Sequence, residues 1–284
     1  MKVHAIRTGS VRVKAQQLEA SRPGPMGIVG VFLDREWSGW LPTYAWAIEH
    51  KDGVIVVDSG QATYLLEEVQ HSWHPFMRNN ASFEMAPELE VGPRLKALGI
   101  GPRDVKQVVL THMHIDHDAG LMHFPGSRIR VAAGEYGNAR GVVGAIRGYL
   151  PNRWPNWLDP EVLGMGDGRF GSFEASERLT ADGSVRVVAT PGHTANHVSV
   201  IVDDGDAAIF LAGDTSYTEA AMVAGKIDGI SPNAAVTAQT LANIRKFASE
   251  RPVIYLPTHD PEAGRRLEQR QIVPLYDRKE QHAA

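Results

Sequence analysis

The sequence contains no cysteine, which removes disulfides and every thiolate metal site. Any metal must then be held by nitrogen and oxygen. No apolar run approaches the roughly 18 residues of a membrane helix. The N-terminus, MKVHAIRTGSVRVKA, alternates apolar and polar residues as a strand does and lacks the continuous apolar stretch of an export signal. A cytoplasmic location with no membrane partner is expected. Positive charge is not in excess either: 29 Lys and Arg stand against 33 Asp and Glu, a formal net charge of −4. That balance argues against nucleic acid as a partner and for a small, neutral or weakly charged substrate. With 43% hydrophobic and 22% charged residues, the 284-residue chain can bury a substantial core, and one domain spanning 1–284 is expected.

What is present is a regular exchange of short apolar runs and helical periods. Strands are predicted over 43–50 and 54–57, joined at Asp52-Gly53, a good hairpin signal. Further buried strands are predicted at 105–111, 128–132, 185–189, 198–202, 207–211 and 253–256. Helical periods fall near 60–71, at 91–98 and at 234–249, the last with Val236, Leu241, Ile244 and Phe247 on its apolar side. Between 134 and 170 no period is sustained, and Gly, Pro, Trp and Asn dominate; a functional loop is expected there. The mixed-charge stretch from Arg265 to the C-terminus reads as solvated. Strands interleaved with helices imply an α/β (layered α+β) fold in which helices cover sheets.

The chemistry concentrates at the ends of the predicted strands. Thr111-His112-Met113-His114-Ile115-Asp116-His117 places three histidines and an aspartate in six residues. His112 and His114 alternate as strand neighbours do, so both can face one way; Asp116 and His117 follow in the turn. Such a set suits zinc, iron, manganese or cobalt. Thr190-Pro191-Gly192-His193, Ala212-Gly213-Asp214 and Pro257-Thr258-His259 close three other strands. Taken alone, each of these reads as a hydrogen-bonded histidine or a plain turn. Taken with the run at 112–117, they read as further ligands, and a carboxylate such as Asp214 can bridge two ions roughly 3.5–4 Å apart.

T-H-x-H-x-D-H, then P-G-H-T, then G-D and a late histidine together resemble the metallo-β-lactamase superfamily over essentially the whole chain. The resemblance implies an αβ/βα sandwich with the site at one edge between the sheets. It implies that His112, His114 and His193 hold one metal and that Asp116, His117 and His259 hold another, with Asp214 bridging. Val56-Val57-Asp58-Ser59-Gly60 matches a family turn whose aspartate supports the site from behind. His197, four residues beyond His193, has either a supporting or a plain packing role.

Within the superfamily, the absence of cysteine departs from the β-lactamases that use a cysteine ligand. His114 stands where the flavodiiron redox proteins carry glutamate, and the roughly 25 residues after His259 are too few for the glutathione-binding region of glyoxalase II. Asp214-Thr215-Ser216-Tyr217 resembles the N-acyl-homoserine lactone lactonases, quorum-quenching enzymes whose tyrosine at that spacing contacts the lactone carbonyl. The expectation that follows is ring opening by a hydroxide bridging two divalent ions, zinc foremost, with Tyr217 polarising the carbonyl and Asp116 passing a proton to the ring oxygen. A same-fold hydrolase of another ester, thioester or phosphoester is the alternative. The aromatic stretches Trp37–Trp46 and Tyr149–Trp157 suit a groove for an acyl chain, a core or a dimer surface. By resemblance the chain is expected to form a homodimer, with the 134–170 segment reaching across.

Overall fold

The computed structural model describes residues 1–276. Twelve strands occur among them: β1 (Lys2–Val13), β2 (Leu41–His50), β3 (Gly53–Val57), β4 (Ala81–Glu84), β5 (Val105–Val109), β6 (Arg128–Ala132), β7 (Glu161–Leu163), β8 (Ser176–Arg178), β9 (Val185–Ala189), β10 (Val198–Asp203), β11 (Ala208–Gly213) and β12 (Val253–Pro257). They form a seven-stranded sheet ordered β4-β1-β2-β3-β5-β6-β7 and a five-stranded sheet ordered β12-β11-β10-β9-β8. β3, β5, β6 and β7 run parallel, as do β11 and β12, and the remaining pairs are antiparallel.

The apolar run of β3 shows why the layers form. Ile55 and Val57 point inward, where they join Val187, Val200 and Leu211 of the second sheet in a core between the sheets. Val54 and Val56 point the other way, against Leu95 and Val91 of the helix Val91–Ala97. A strand covered on both faces needs apolar side chains at every position, which is what 54–57 supplies. The second sheet is covered on its far side by the helix Ala234–Glu250, through Leu241, Ile244 and Phe247. Asn233 caps that helix by accepting from the amides of Ala235 and Val236, a contact worth about 1 kcal/mol. Val236, expected on the buried side, is instead 36% exposed; the buried residues of the helix begin one residue later, at Thr237.

Three other expectations need correction. The stretch 134–170 is not a plain loop: it contains the helices Ala133–Ala139 and Gly141–Ile146, a 3-10 turn at Pro151–Arg153, and β7. Pieces of six or seven residues, broken at Gly141 with φ 67°, are too short to show a helical period. Near 60–71 only Leu65–Gln70 is helical. The C-terminal stretch is anchored as far as it is described: Arg266 lies in the helix Ala263–Glu268, buried, donating to Asp260 and to the Tyr255 carbonyl. Its mixed charge partly serves a buried ion cluster rather than water. Residues 277–284 lie outside the described residues. Among the described residues, no helix is long and apolar enough to cross a membrane.

Candidate metal centre

β9, β11 and β12 point their C-terminal ends the same way, as do β3 and β5 in the other sheet. The Val198 amide bonds the Thr111 carbonyl at 2.9 Å and joins the two sheets at that edge. The loops after these strands carry every residue of the expected ligand set. Met113 is buried in the core, so His112 and His114 on either side of it face the opposite way. A single helical turn, Ile115–Asp118, then swings Asp116 and His117 round.

The side chains converge as three overlapping groups: His112 with His114 and His193; His112 with His117 and Asp214; Asp116 with His117 and His259. His114 Nδ1 lies 3.0 Å from His112 Nε2 and 3.0 Å from His193 Nε2. One ring nitrogen offers one hydrogen or one in-plane lone pair, so both contacts cannot be hydrogen bonds. Asp214 stands between the groups, with Oδ1 3.3 Å from His117 Nε2 and Oδ2 3.3 and 3.4 Å from His259 and His193 Nε2. Asp116 Oδ2 is 3.4 Å from His259 Nε2. His117 Nε2 and Asp214 Oδ1 are buried without a hydrogen-bond partner, a costly arrangement unless a cation sits between such atoms. The cluster is therefore able to bind metal, and its hard nitrogen and oxygen donors fit a divalent ion.

The electrostatics divide the histidines. Burial, and then the neighbouring His117 and His193 respectively, hold His112 and His114 well below their ordinary pKa, so both rings are neutral and ready to donate a lone pair. Burial acts the same way on His117, His193 and His259, but their carboxylates overcome it and raise all three: Asp214 and Asp58 at His117, Asp228 and Asp214 at His193, Asp214 and Asp116 at His259. Burial would raise Asp214, yet His259 and His117 hold it well below the usual carboxylate range. An ion arriving here displaces protons from the three raised rings.

Behind the cluster, the ring nitrogens that face away are tied down, as metal-binding histidines require. Asp58 Oδ2 accepts from His117 Nδ1 at 2.9 Å, while Oδ1 accepts from the Thr111 amide at 2.8 Å. Asp58 holds this position in a left-handed backbone, φ 58°, strain of the kind stored at functional sites. His259 Nδ1 meets the Pro42 carbonyl at 3.0 Å. His197 is in none of the three groups: its Nε2 accepts from the Asp214 amide at 3.1 Å, and burial holds its pKa down to about 3. It positions the Asp214 backbone as a neutral ring. Gly213 next to it, at φ 57°, leaves no room for a Cβ, which would lie 2.6 Å from His197 Nε2.

Tyr217 is buried, with its ring stacked on His259 (centroids 5.5 Å, planes at 23°), and its oxygen accepts from Gln17 Nε2 at 2.9 Å. It borders a cavity of about 100 Å³ that also exposes His114, Asp116, His193, Asp214 and His259, with Phe76, Met77, Phe83 and Ile230 as apolar wall. A second cavity of about 580 Å³ has Phe76, His114, Arg147, His193 and Ile230 in common with it. The expected aromatic groove is only partly there. Trp46 is core between the sheets, and Trp37 and Trp40 lie on the surface against Arg12, Trp37 beside a separate cavity; of the two stretches only Tyr149 borders either of the two cavities at the cluster. The apolar walls come instead from Phe76 and Met77 of the short helix Pro75–Asn80, from Phe83 of β4 and from Ile230, none of which a helical period marked.

Sequence reasoning also missed Asp228, whose Oδ2 lies 3.4 Å from His193 Nδ1 and accepts from the Ser231 hydroxyl. Glu135, buried and hydrogen-bonded to the Met113 amide, was missed as well. Asp228 sits in an Asp-Gly turn that nothing local distinguishes from any other. Glu135 fell in the stretch read as a loop.

The sequence signature of the metallo-β-lactamase superfamily matches residues 38–259. A probable metallo-hydrolase of Mycobacterium tuberculosis is 31% identical over 192 residues, which cover 64% of this chain and 57% of that protein. The chain thus spans little more than half the length of that relative. An N-acyl homoserine lactonase of Rhizobium radiobacter is 23% identical over 273 residues, covering 93% of this chain and 94% of that one. A solved N-acyl homoserine lactone hydrolase with N-hexanoyl-L-homoserine at its catalytic metal centre superposes with a TM-score of 0.75 at 18% identity, covering 93% of this chain and 95% of that one. With the signature running from before β2 to the last histidine of the cluster, the chain belongs to the metallo-β-lactamase superfamily.

Proposed function

We propose that this chain opens the lactone ring of N-acyl-homoserine lactones, and so quenches signalling by them. The observation that carries the reading is Tyr217, which lines the same cavity as the histidine–aspartate cluster together with apolar side chains. The lactonases among its relatives support it. His112, His114 and His193 would hold one divalent ion and Asp116, His117 and His259 a second, with Asp214 shared, zinc being foremost and iron, cobalt or manganese compatible with the same donors. Bound there, the ions supply Lewis acidity and make a water acidic enough to attack near neutral pH.

The protein's own groups do the rest. Burial and the nearby Asp214 carboxylate raise the Tyr217 pKa far above its ordinary value, so the hydroxyl stays protonated. Gln17 donates to the phenol oxygen, which leaves the phenol hydrogen free to donate to a lactone carbonyl as negative charge grows on it. In the hydrolysis, the water oxygen bonds the carbonyl carbon and the ring C–O bond breaks. A proton passes through Asp116 to the departing ring oxygen, giving a hydroxy acid. Asp58, Asp228 and His197 touch no substrate; they orient the rings and backbone that do. A single hydrolase domain and a homodimer belong to the same reading, and the exposed apolar residues Phe32 and Ile146 beside the larger cavity offer a surface for the second copy.

A pH-indicator assay on short- and long-chain N-acyl-homoserine lactones tests the reading. Acid release that is lost on chelation and restored by metal is the expected result. Metal-loaded protein that leaves lactones untouched but cleaves aryl esters, thioesters or phosphotriesters would overturn it.

A further inference from the structure

Glu135 is a buried carboxylate, 1% exposed, in the first turn of the helix Ala133–Ala139. Burial pushes its pKa up, and hydrogen bonds from Thr194, Met113 and Tyr149 oppose that rise. The three donors are specific in what they are attached to. The Met113 amide donates to Oε1 at 3.2 Å, and Met113 is the residue between His112 and His114. The Thr194 hydroxyl donates to Oε2 at 2.8 Å, and Thr194 follows His193. The Tyr149 hydroxyl donates to Oε1 at 3.2 Å, and its ring lies 5.4 Å from that of His114, tilted by 31°. One carboxylate thus braces the chain beside each member of the three-histidine group. The group of Asp116, His117 and His259 is held by other partners, Asp58 behind His117 and the Pro42 carbonyl behind His259.

Holding three ring nitrogens about one point is unfavourable until a cation joins them, because their lone pairs converge. His114 Nδ1 lies 3.0 Å from both of the others. Something must keep the backbone at 113 and 194 from relaxing, and the charge-assisted bonds to Glu135 are placed to do so. We infer that Glu135 is a positioning residue that sets the metal affinity of the three-histidine subsite and leaves the other subsite unchanged. The inference rests on the two-ion reading above. It also gives the helix Ala133–Ala139 a function: it joins a wall of the larger cavity, which Glu135 borders, to the metal floor.

The test is a zinc titration against a chromophoric chelator, on the full chain, for the wild type, Glu135→Gln and Thr194→Val. Glu135→Gln weakens one binding step by about 10- to 100-fold and leaves the other within about twofold, and Thr194→Val weakens the same step by less. The comparison is repeated in an Asp116→Asn background, where the three-histidine subsite is read alone and the same factor is expected. Both steps weakening together, as a general loss of structure would produce, overturns the inference, and so does an unchanged titration. If the wild type takes up a single equivalent, the two-ion reading falls, while the Asp116→Asn pair still decides the role of Glu135. Should Glu135→Gln fail to fold, Thr194→Val and Tyr149→Phe carry the comparison.

Discussion

The floor and the walls of the cavity at the histidine–aspartate cluster are built from different material. Loops at strand ends supply the floor, where His112, His117, His193, Asp214 and His259 are each 5% exposed or less and the outward-facing nitrogens of His117, His193 and His259 meet Asp58, Asp228 and the Pro42 carbonyl. Short helices supply much of the walls, Pro25–Leu33, Pro75–Asn80 and Gly141–Ile146, and there the lining residues Phe32 and Ile146 are 45% and 60% exposed. A charged floor must be rigid, because misplacing one donor strands the others in a dry interior. An apolar wall tolerates shifts, because burial is non-directional. Substitutions in the floor should therefore affect chemistry and metal together, and those in the walls should affect substrate preference alone.

The largest effect is expected at the shared carboxylate. Asp214→Asn removes the charge that raises the pKa of His117 and His259 and that faces both ligand groups. Metal content should fall below two ions per chain and hydrolysis should vanish with it, both read on the same sample. Full metal content with activity intact would show that the floor does not depend on Asp214. Tyr217→Phe is the next step down. Loss of one donor to a developing oxyanion costs about a hundredfold in kcat, and because the hydroxyl bonds Gln17 and no ligand, metal content should hold. Unchanged kcat would remove Tyr217 from the chemistry and leave it as packing between Val11, Val13 and Leu41.

Titration sharpens the contrast without a substitution. In the metal-free protein His117, His193 and His259 have pKa values raised above the ordinary 6.5. A raised value in the folded state means a stabilising contribution that is complete below 6.5 and lost as pH climbs through the raised values. The metal-free protein should thus become less stable as pH rises above about 6.5, while metal affinity grows over the same window because fewer protons must be displaced. His112 and His114, held low, add nothing there. Thermal melts of chelated and metal-loaded protein from about pH 6 to pH 9 should diverge with rising pH. Parallel curves would mean that the three rings are neutral throughout.

The floor was legible because one strand ending, 112–117, carries three histidines and an aspartate with little structural motive, and three further endings with one ligand-type residue each follow it in order. Asp58 was legible only through the resemblance of its turn, 56–60, to a family motif. The two sheets followed from β-branched runs such as 54–57, which only burial on both faces explains. The walls were not legible. Pro25–Leu33 is apolar almost throughout, so no stripe marks a helix, and Gly141–Ile146 is shorter than two turns. Asp228 and Glu135 matter through partners 22 to 59 residues away, and no local pattern reports a partner at that distance.

The smallest effect should come from the walls. Phe76 borders both cavities, and its ring meets Phe32 edge-on at 5.3 Å. It is half-buried in a six-residue helix, so truncation to alanine should cost less stability than a core change such as Leu110→Ala, whose side chain is fully covered and for which about 2–5 kcal/mol is usual. What Phe76→Ala removes is apolar surface from the space where an acyl chain would lie, a contact worth about 1 kcal/mol. KM for a long-chain lactone should then rise about fivefold, with kcat and metal content unchanged and the short-chain KM nearly so. An equal rise for both chain lengths would place Phe76 against the lactone ring itself. No rise for either would mean that the acyl chain leaves the cavity by another route, and that the division between floor and wall lies closer to His114 than the cavity lining implies.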